Sequence, residues 1–292
     1  RRARRRLYSR FMDFIMKKIL AMLLALVMAL SLAACASTQP AAEPAASSDA
    51  PAESGKTYTV GVCQLVQHEA LDAATQGFVD ALKEALGDAV TIDVQNASGD
   101  SVNCGTIVNG FVAKGVDLIM ANATPALTAA VSATADIPIL GTSITAYGVA
   151  LDIDDFSGTV GGNVSGTSDL ADLQKQAQMI LDWFPETKTV GLLFCSAEPN
   201  SRYQIDEVRK ALEAQGVTCE EFAFTDSNDV SSVTQKAADF SDVVYIPTDN
   251  TAASNTEAIA NVLIPAGVPA ICGEEGLCRG CGVATLSISY YD

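Results

Sequence analysis

The sequence predicts an α/β protein made of two doubly wound parallel-sheet lobes joined by a hinge. Three observations carry that prediction. The second half of the chain repeats the first, segment by segment. Strand-like runs alternate with helix-like runs in both halves, the pattern of parallel sheets joined by right-handed crossovers. Apolar runs such as "VDLIMA" and "DVVYI" lack polar–apolar alternation, as strands covered on both faces do. With 292 residues, 49% of them hydrophobic, the chain is long enough for two domains of ordinary size.

Residues 1–15, "RRARRRLYSRFMDFI", do not start with Met and are expected to be an over-called start. Residues 16–34 read as a signal: Met16-Lys17-Lys18, a 16-residue apolar run, then "LAAC", which sets small residues before Cys35. The competing reading, a membrane span, wants roughly 20 residues, and no stop-transfer charge comes after the run. Residues 35–56 are Ala, Ser, Pro and Glu with almost nothing large and apolar, which makes them a flexible tether.

The first lobe is expected over 57–160. "YTVGVCQLVQHEA" is a strand that turns polar, and "LDAATQGFVDALKEALG" is a helix stopped by glycine. "AVTIDVQNAS", "KGVDLIMANATPA" and "ADIPILGTS" are further strands. The second lobe, over 161–285, answers in the same order: "KTVGLLFCSAEPN", "SRYQIDEVRKALEAQG", "VTCEEFAFTD", "FSDVVYIPTDNTA" and "AGVPAICGEEG". Between the lobes "FSGTVGGNVSGTSDLAD" is rich in Gly and Ser, as a hinge crossing requires. Residues 286–292, at the end of "GVATLSISYYD", look like a strand returning to the first lobe.

Charge removes one class of partner. The formal net charge is −17, and residues 1–34 hold eight of the 18 Lys and Arg but one of the 35 Asp and Glu. Residues 35–292 are more acidic still and repel phosphate backbones, so no nucleic acid is expected. Seven cysteines lie beyond Cys35, an odd number set mostly in apolar segments, which points to buried free thiols. Cys278-Arg279-Gly280-Cys281 has C-x-x-C spacing. A lone pair cannot supply four zinc ligands and no thioredoxin-like helix pattern comes after it, so neither metal nor redox work is expected there.

Ligands of open parallel sheets gather beyond the carboxyl ends of the strands. Those ends carry Gln64, His68, Thr124, Pro125, Thr142 and Ser143 in the first half. In the second they carry Ser196, Glu198, Asn200, Ser201, Asp249, Asn250, Thr251, Glu274 and Glu275. Two such polar rims facing across a hinge make a cleft suited to capture. His68, the single histidine, fits a pocket wall best, with a capping or surface role as the alternative. A metal site lacks companions at ligand spacing, and no G-x-S-x-G turn supports catalysis.

In combination, "LAAC", "CQLVQHEALD", "ANATPA", "NVSGTSD", "SAEPNS", "PTDNTAAS", "GEEG" and "ATLSISYYD" resemble the substrate-binding lipoproteins of ABC importers over residues 57–292. The resemblance is to the branch whose studied members bind tryptophan or related amino acids. It implies a type I periplasmic-binding-protein fold, an amino-acid ligand (aromatic), an ABC permease as partner, no cofactor and no catalysis. It also implies a monomer held outside the cytoplasm on the bacterial membrane by a lipid on Cys35. Such proteins continue past "SISYYD" with a further helix and strands, so a C-terminally truncated fragment is expected. An amino acid needs donors for its carboxylate, for which Thr124 and Ser143 are candidates, and a carboxylate for its ammonium, for which Asp249 and Glu275 are. Each of these is also a residue type found at helix N-caps for structural reasons alone. Tyr147 and Tyr203 are the aromatic candidates, with Trp183 expected in core or hinge packing. Two other readings remain: a tethered sensor lobe of the same fold, and an enzyme using Cys63 or Cys195 with His68.

Overall fold

The computed structural model describes residues 56–292. The expected start over 1–15, the signal over 16–34, the acylated Cys35 and all of the 35–56 tether but its last residue lie outside the described residues. Among the described residues no helix is long and apolar enough to cross a membrane.

The first lobe runs β1 (Tyr58–Gln64), α1 (Glu69–Leu86), β2 (Val90–Asn96), α2 (Ser101–Lys114), β3 (Leu118–Asn122), α3 (Thr124–Ala133), β4 (Ile139–Ile144), α4 (Tyr147–Ala150) and β5 (Val164–Ser168). The second runs α5 (Leu173–Trp183), β6 (Thr189–Cys195), α6 (Pro199–Glu213), β7 (Thr218–Phe224), α7 (Val230–Phe240) and β8 (Val243–Ile246). It continues with α8 (Asn250–Ala253), α9 (Thr256–Ala266), β9 (Ala270–Cys272), α10 (Glu275–Cys281) and β10 (Ala284–Thr285). The sheets are ordered β2-β1-β3-β4-β5 and β7-β6-β8-β9-β10, with parallel pairing throughout. The internal repeat therefore yields one topology twice, with the ligand-receiving edge of each sheet at its strand C-termini.

Each strand is covered from two sides, which explains its unalternating apolar character. In the first lobe Val60, Val62 and Met120 pack under Phe78 and Leu82 of α1. On the other face Ile119, Ala121 and Ile139 meet Val108 and Phe111 of α2 and Leu127 of α3. In the second, α5 and α6 cover one face and α7 and α9 the other. Local chemistry sets the helix ends. The Asp100 side chain accepts from the Val102 N–H to start α2, and Gly115, at φ 67°, ends it in the left-handed region.

Two boundaries differ from the sequence reading. The first lobe does not end at 160, because Val164–Ser168 pairs with β4 as the edge strand of the first sheet. One apolar residue in five made it read as coil. It is held by geometry instead: the Tyr147 hydroxyl donates to the Gly141 and Thr167 carbonyls at 3.0 and 3.1 Å, tying β4 to β5. Gly166 (φ 151°) lies so close that an added Cβ would sit 2.1 Å from the Gly141 carbonyl oxygen. The crossing is thus shortened to 169–172. Second, 286–292 forms no strand. Only Ala284–Thr285 pairs, at the edge of the second sheet. The rest is strapped across by side chains: Gln176 Nε2 donates to the Leu286 carbonyl (2.8 Å), Tyr290 Oη to Asp169 (2.9 Å) and Tyr291 Oη to Asp80 of α1 (2.9 Å). Trp183, expected to pack, is 58% exposed.

Candidate functional site

The two sets of strand ends close on one another around a tight cavity of about 20 Å³, room for little more than a water molecule while the lobes stand this near. The first lobe contributes His68, Ala70, Leu71, Ser143 and Thr145, and Asp169 enters from the crossing. The second contributes Asn200, Thr248, Asp249, Asn250, Ala253 and Glu274, and Tyr290 comes from the return crossing. Contacts bridge the cleft directly: His68 Nε2 lies 3.2 Å from Asn250 Oδ1, and Gln204 Nε2 donates to Thr145 Oγ1 at 3.4 Å.

Four polar atoms on this wall are buried without a protein partner: His68 Nδ1, Ser143 Oγ, Asp169 Oδ1 and Asn200 Oδ1. A buried polar atom left unpaired costs roughly 1–3 kcal/mol, so four converging on one cavity describe a site built for a polar guest. Ser143 adopts φ 56° at the end of β4, a backbone strain of the kind that re-aims a side chain at a binding site. Asp169, 7% exposed, has its pKa pushed up by burial, against the stabilising hydroxyl of Tyr290. His68 is pushed down by burial, against its Asn250 bond and the Glu198 and Asp72 charges, which keeps the imidazole neutral.

Several residues expected in the site do other work. Gln64 turns into its own lobe, donating to Asp72 (2.6 Å) and the Val66 carbonyl while accepting from Thr75. Asp249, expected to meet an ammonium, borders the cavity, but both its oxygens are taken, by the Ala252 and Cys195 N–H groups. Glu198 holds the N–H groups and side chains of Asn250 and Thr251, which builds the first turn of α8. Ser196 donates to the Phe224 carbonyl, and Ser201 accepts from Asn200 inside the second lobe. Glu275 is ion-paired to Arg279 on the surface. Thr124 and Pro125 line a separate 440 Å³ recess with Ala197 and Pro199. Thr142 opens onto a groove beside α1, which Ser143 also borders. The common cause is that Ser, Thr, Asp and Glu at a strand end serve a helix N-terminus as readily as a ligand.

Tyr147 is committed to β4 and β5, and Tyr203 packs on the second-lobe core. His68 has Asn250 as its ring partner, while the Cys195 thiol faces the Thr225 carbonyl and is pushed up to about 11 by burial. The residues the sequence reading missed are Thr145, Thr248, Asp169 and Tyr290. The last two stand in "NVSGTSD" and "ATLSISYYD", strings assigned to crossings and not to the cleft.

Paired sheets closing on a cavity with unmatched donors and acceptors define a two-lobed solute-binding protein. The chain belongs to the ABC transporter substrate-binding protein family, whose pattern it matches over residues 59–292. Members serve outside the cytoplasm. A tyrosine-binding protein of Clostridioides difficile is 33% identical over 244 residues, 82% of this chain and 70% of that one. Among solved structures, the ABC domain from Streptococcus pneumoniae in complex with L-Trp is 32% identical, with TM-score 0.77 over 80% of each chain. The ligand-free, open structure of a substrate-binding protein with adhesive properties from Clostridium difficile is 34% identical over the same shares, with TM-score 0.57. With sequence likeness equal, that gap puts this chain's lobe arrangement nearer to the occupied relative than to the open one.

Proposed function

We propose that the chain captures one free α-amino acid, an aromatic one, between its lobes and delivers it to an ABC permease, working from a lipid anchor on Cys35. The observation that carries this reading is the set of unpaired buried atoms. Asp169 Oδ1, Asn200 Oδ1 and the Nδ1 of the neutral His68 ring are acceptors for an ammonium group; Ser143 Oγ is a donor for a carboxylate. Leu71, Ala70, Ala253 and the Tyr290 ring leave apolar wall for a side chain. The tyrosine-binding relative and the L-Trp complex support the aromatic class.

Isothermal titration of the full chain with L-tyrosine, L-tryptophan, L-phenylalanine and non-aromatic amino acids tests it. Saturable one-to-one binding, strongest for an aromatic member, is expected. Absence of heat with every amino acid would overturn the reading.

A further inference from the structure

The C-x-x-C pair has a third partner. Cys272 ends β9 in the second-lobe core, and Cys278 and Cys281 stand one turn apart on α10, packed against that core. A side-chain carbon placed on Gly282 would lie 2.5 Å from Cys272 Sγ and 3.0 Å from the Cys278 Cα, so the two cysteines converge on one point. Cys272 Sγ therefore lies no more than 5.5 Å from the Cys278 Cα, within side-chain reach of that thiol. Cys281 gives its own S–H to the Leu277 carbonyl at 3.3 Å. Cys272 is fully buried, whereas Cys278 and Cys281 are half-buried and within reach of a reagent.

We propose that Cys272 and Cys278 are a redox-sensitive pair, closed to a disulfide by exchange with a small-molecule disulfide, and that closure loosens the contact of α10 with the first lobe. Cys278 is the entry point. Its sulfur is half-buried and open to a reagent where Cys272 is not, its thiol is held down to about 7 by the neighbouring Cys272, and burial pushes Cys272 well up. The Cys278 thiolate attacks one sulfur of the disulfide and expels a thiolate, which takes the proton Cys278 released. Cys272 sulfur then attacks Cys278 sulfur, and the second half of the reagent leaves with the Cys272 proton. The protein gives up two electrons and two protons; the reagent becomes two thiols.

The link to the lobes lies in what else α10 carries. A Cys272–Cys278 bond encloses Glu274, which lines the cavity while accepting from the Gly276 and Leu277 N–H groups. Arg279, one residue on, pairs across the cleft with Glu69 of α1. Gly276 abuts that same Glu69 side chain. Free thiols must close to about 2.05 Å to bond, which draws α10 toward its own sheet and away from Glu69.

The first lobe supplies an internal control. Cys63 and Cys104 also neighbour one another in the first-lobe core, but both are fully buried, and no reagent reaches them. The test treats the reduced full chain with glutathione disulfide, counts thiols after denaturation and maps peptides by mass. Peptide mapping is expected to show Cys272 joined to Cys278, with Cys63 and Cys104 still reduced. Cys278→Ser abolishes the bond and Cys281→Ser keeps it; both sites are half-buried, and thermal unfolding checks their folding. A Cys278–Cys281 bond, a persistent glutathione adduct on Cys278 or no oxidation of Cys272 and Cys278 would overturn the pairing. Small-angle scattering without ligand reads the second half. The oxidised chain is expected to show the larger radius of gyration, and Cys278→Ser no change with oxidant; equal radii for the oxidised and reduced native chain would overturn the link to the lobes.

Discussion

The Asp169 carboxylate is almost wholly dehydrated, yet only one of its oxygens holds a partner, the Tyr290 hydroxyl. Its raised pKa means that the ligand-free protein is most stable with this group protonated. Its contribution is full below the ordinary 3.8 and lost as pH climbs through the raised value. Asp169→Asn should therefore leave ligand-free thermal stability at neutral pH unchanged or higher. The same change should weaken amino-acid binding at least about a hundredfold by titration calorimetry, because removing one member of a buried charge pair costs roughly 3 kcal/mol or more. His68 works in the opposite sense. Its depressed pKa favours closure with a neutral ring, so closure is supported above the ordinary 6.5 and lost as pH falls through and below it. Affinity should drop between pH 7.5 and 5.5, and His68→Gln should flatten that part of the profile.

At the scale of the element, β5 is the strand whose sequence says least and whose position matters most, since it ends one residue before Asp169. Gly166→Ala would drive a methyl group into the Gly141 carbonyl and the Tyr147 hydroxyl. A loss of about 3 kcal/mol in urea unfolding is expected from such overpacking, with weaker ligand binding as β5 shifts. The strands flanked by long apolar runs were legible because burial on both faces writes itself into composition. β5 was not, because a glycine and three hydroxyl residues spell turn when the neighbouring strand cannot be seen. The same blindness governed the site: Asp249 and Ser143 are both polar residues at strand C-termini, and only the hydrogen bonds around them separate a helix cap from an unpaired donor. Cys272 was invisible as a partner of the C-x-x-C pair because β9 and α10 approach through space.

Across the whole molecule, the repeat and the strand–helix alternation were sufficient to predict two lobes and a cleft, while the residues lining the two crossings escaped because crossings read as linkers. Asp169 opens one crossing and Tyr290 lies on the other, and the two are bonded. The proposed ammonium anchor is thus seated at the fulcrum, whereas His68, Asn250 and Glu274 sit on the jaws. Swinging the jaws apart displaces the latter far more than the former. A visiting molecule would then moor by its charged end before the jaws shut, and stopped-flow traces should resolve two phases: one that quickens in proportion to solute, and a slower one that levels off.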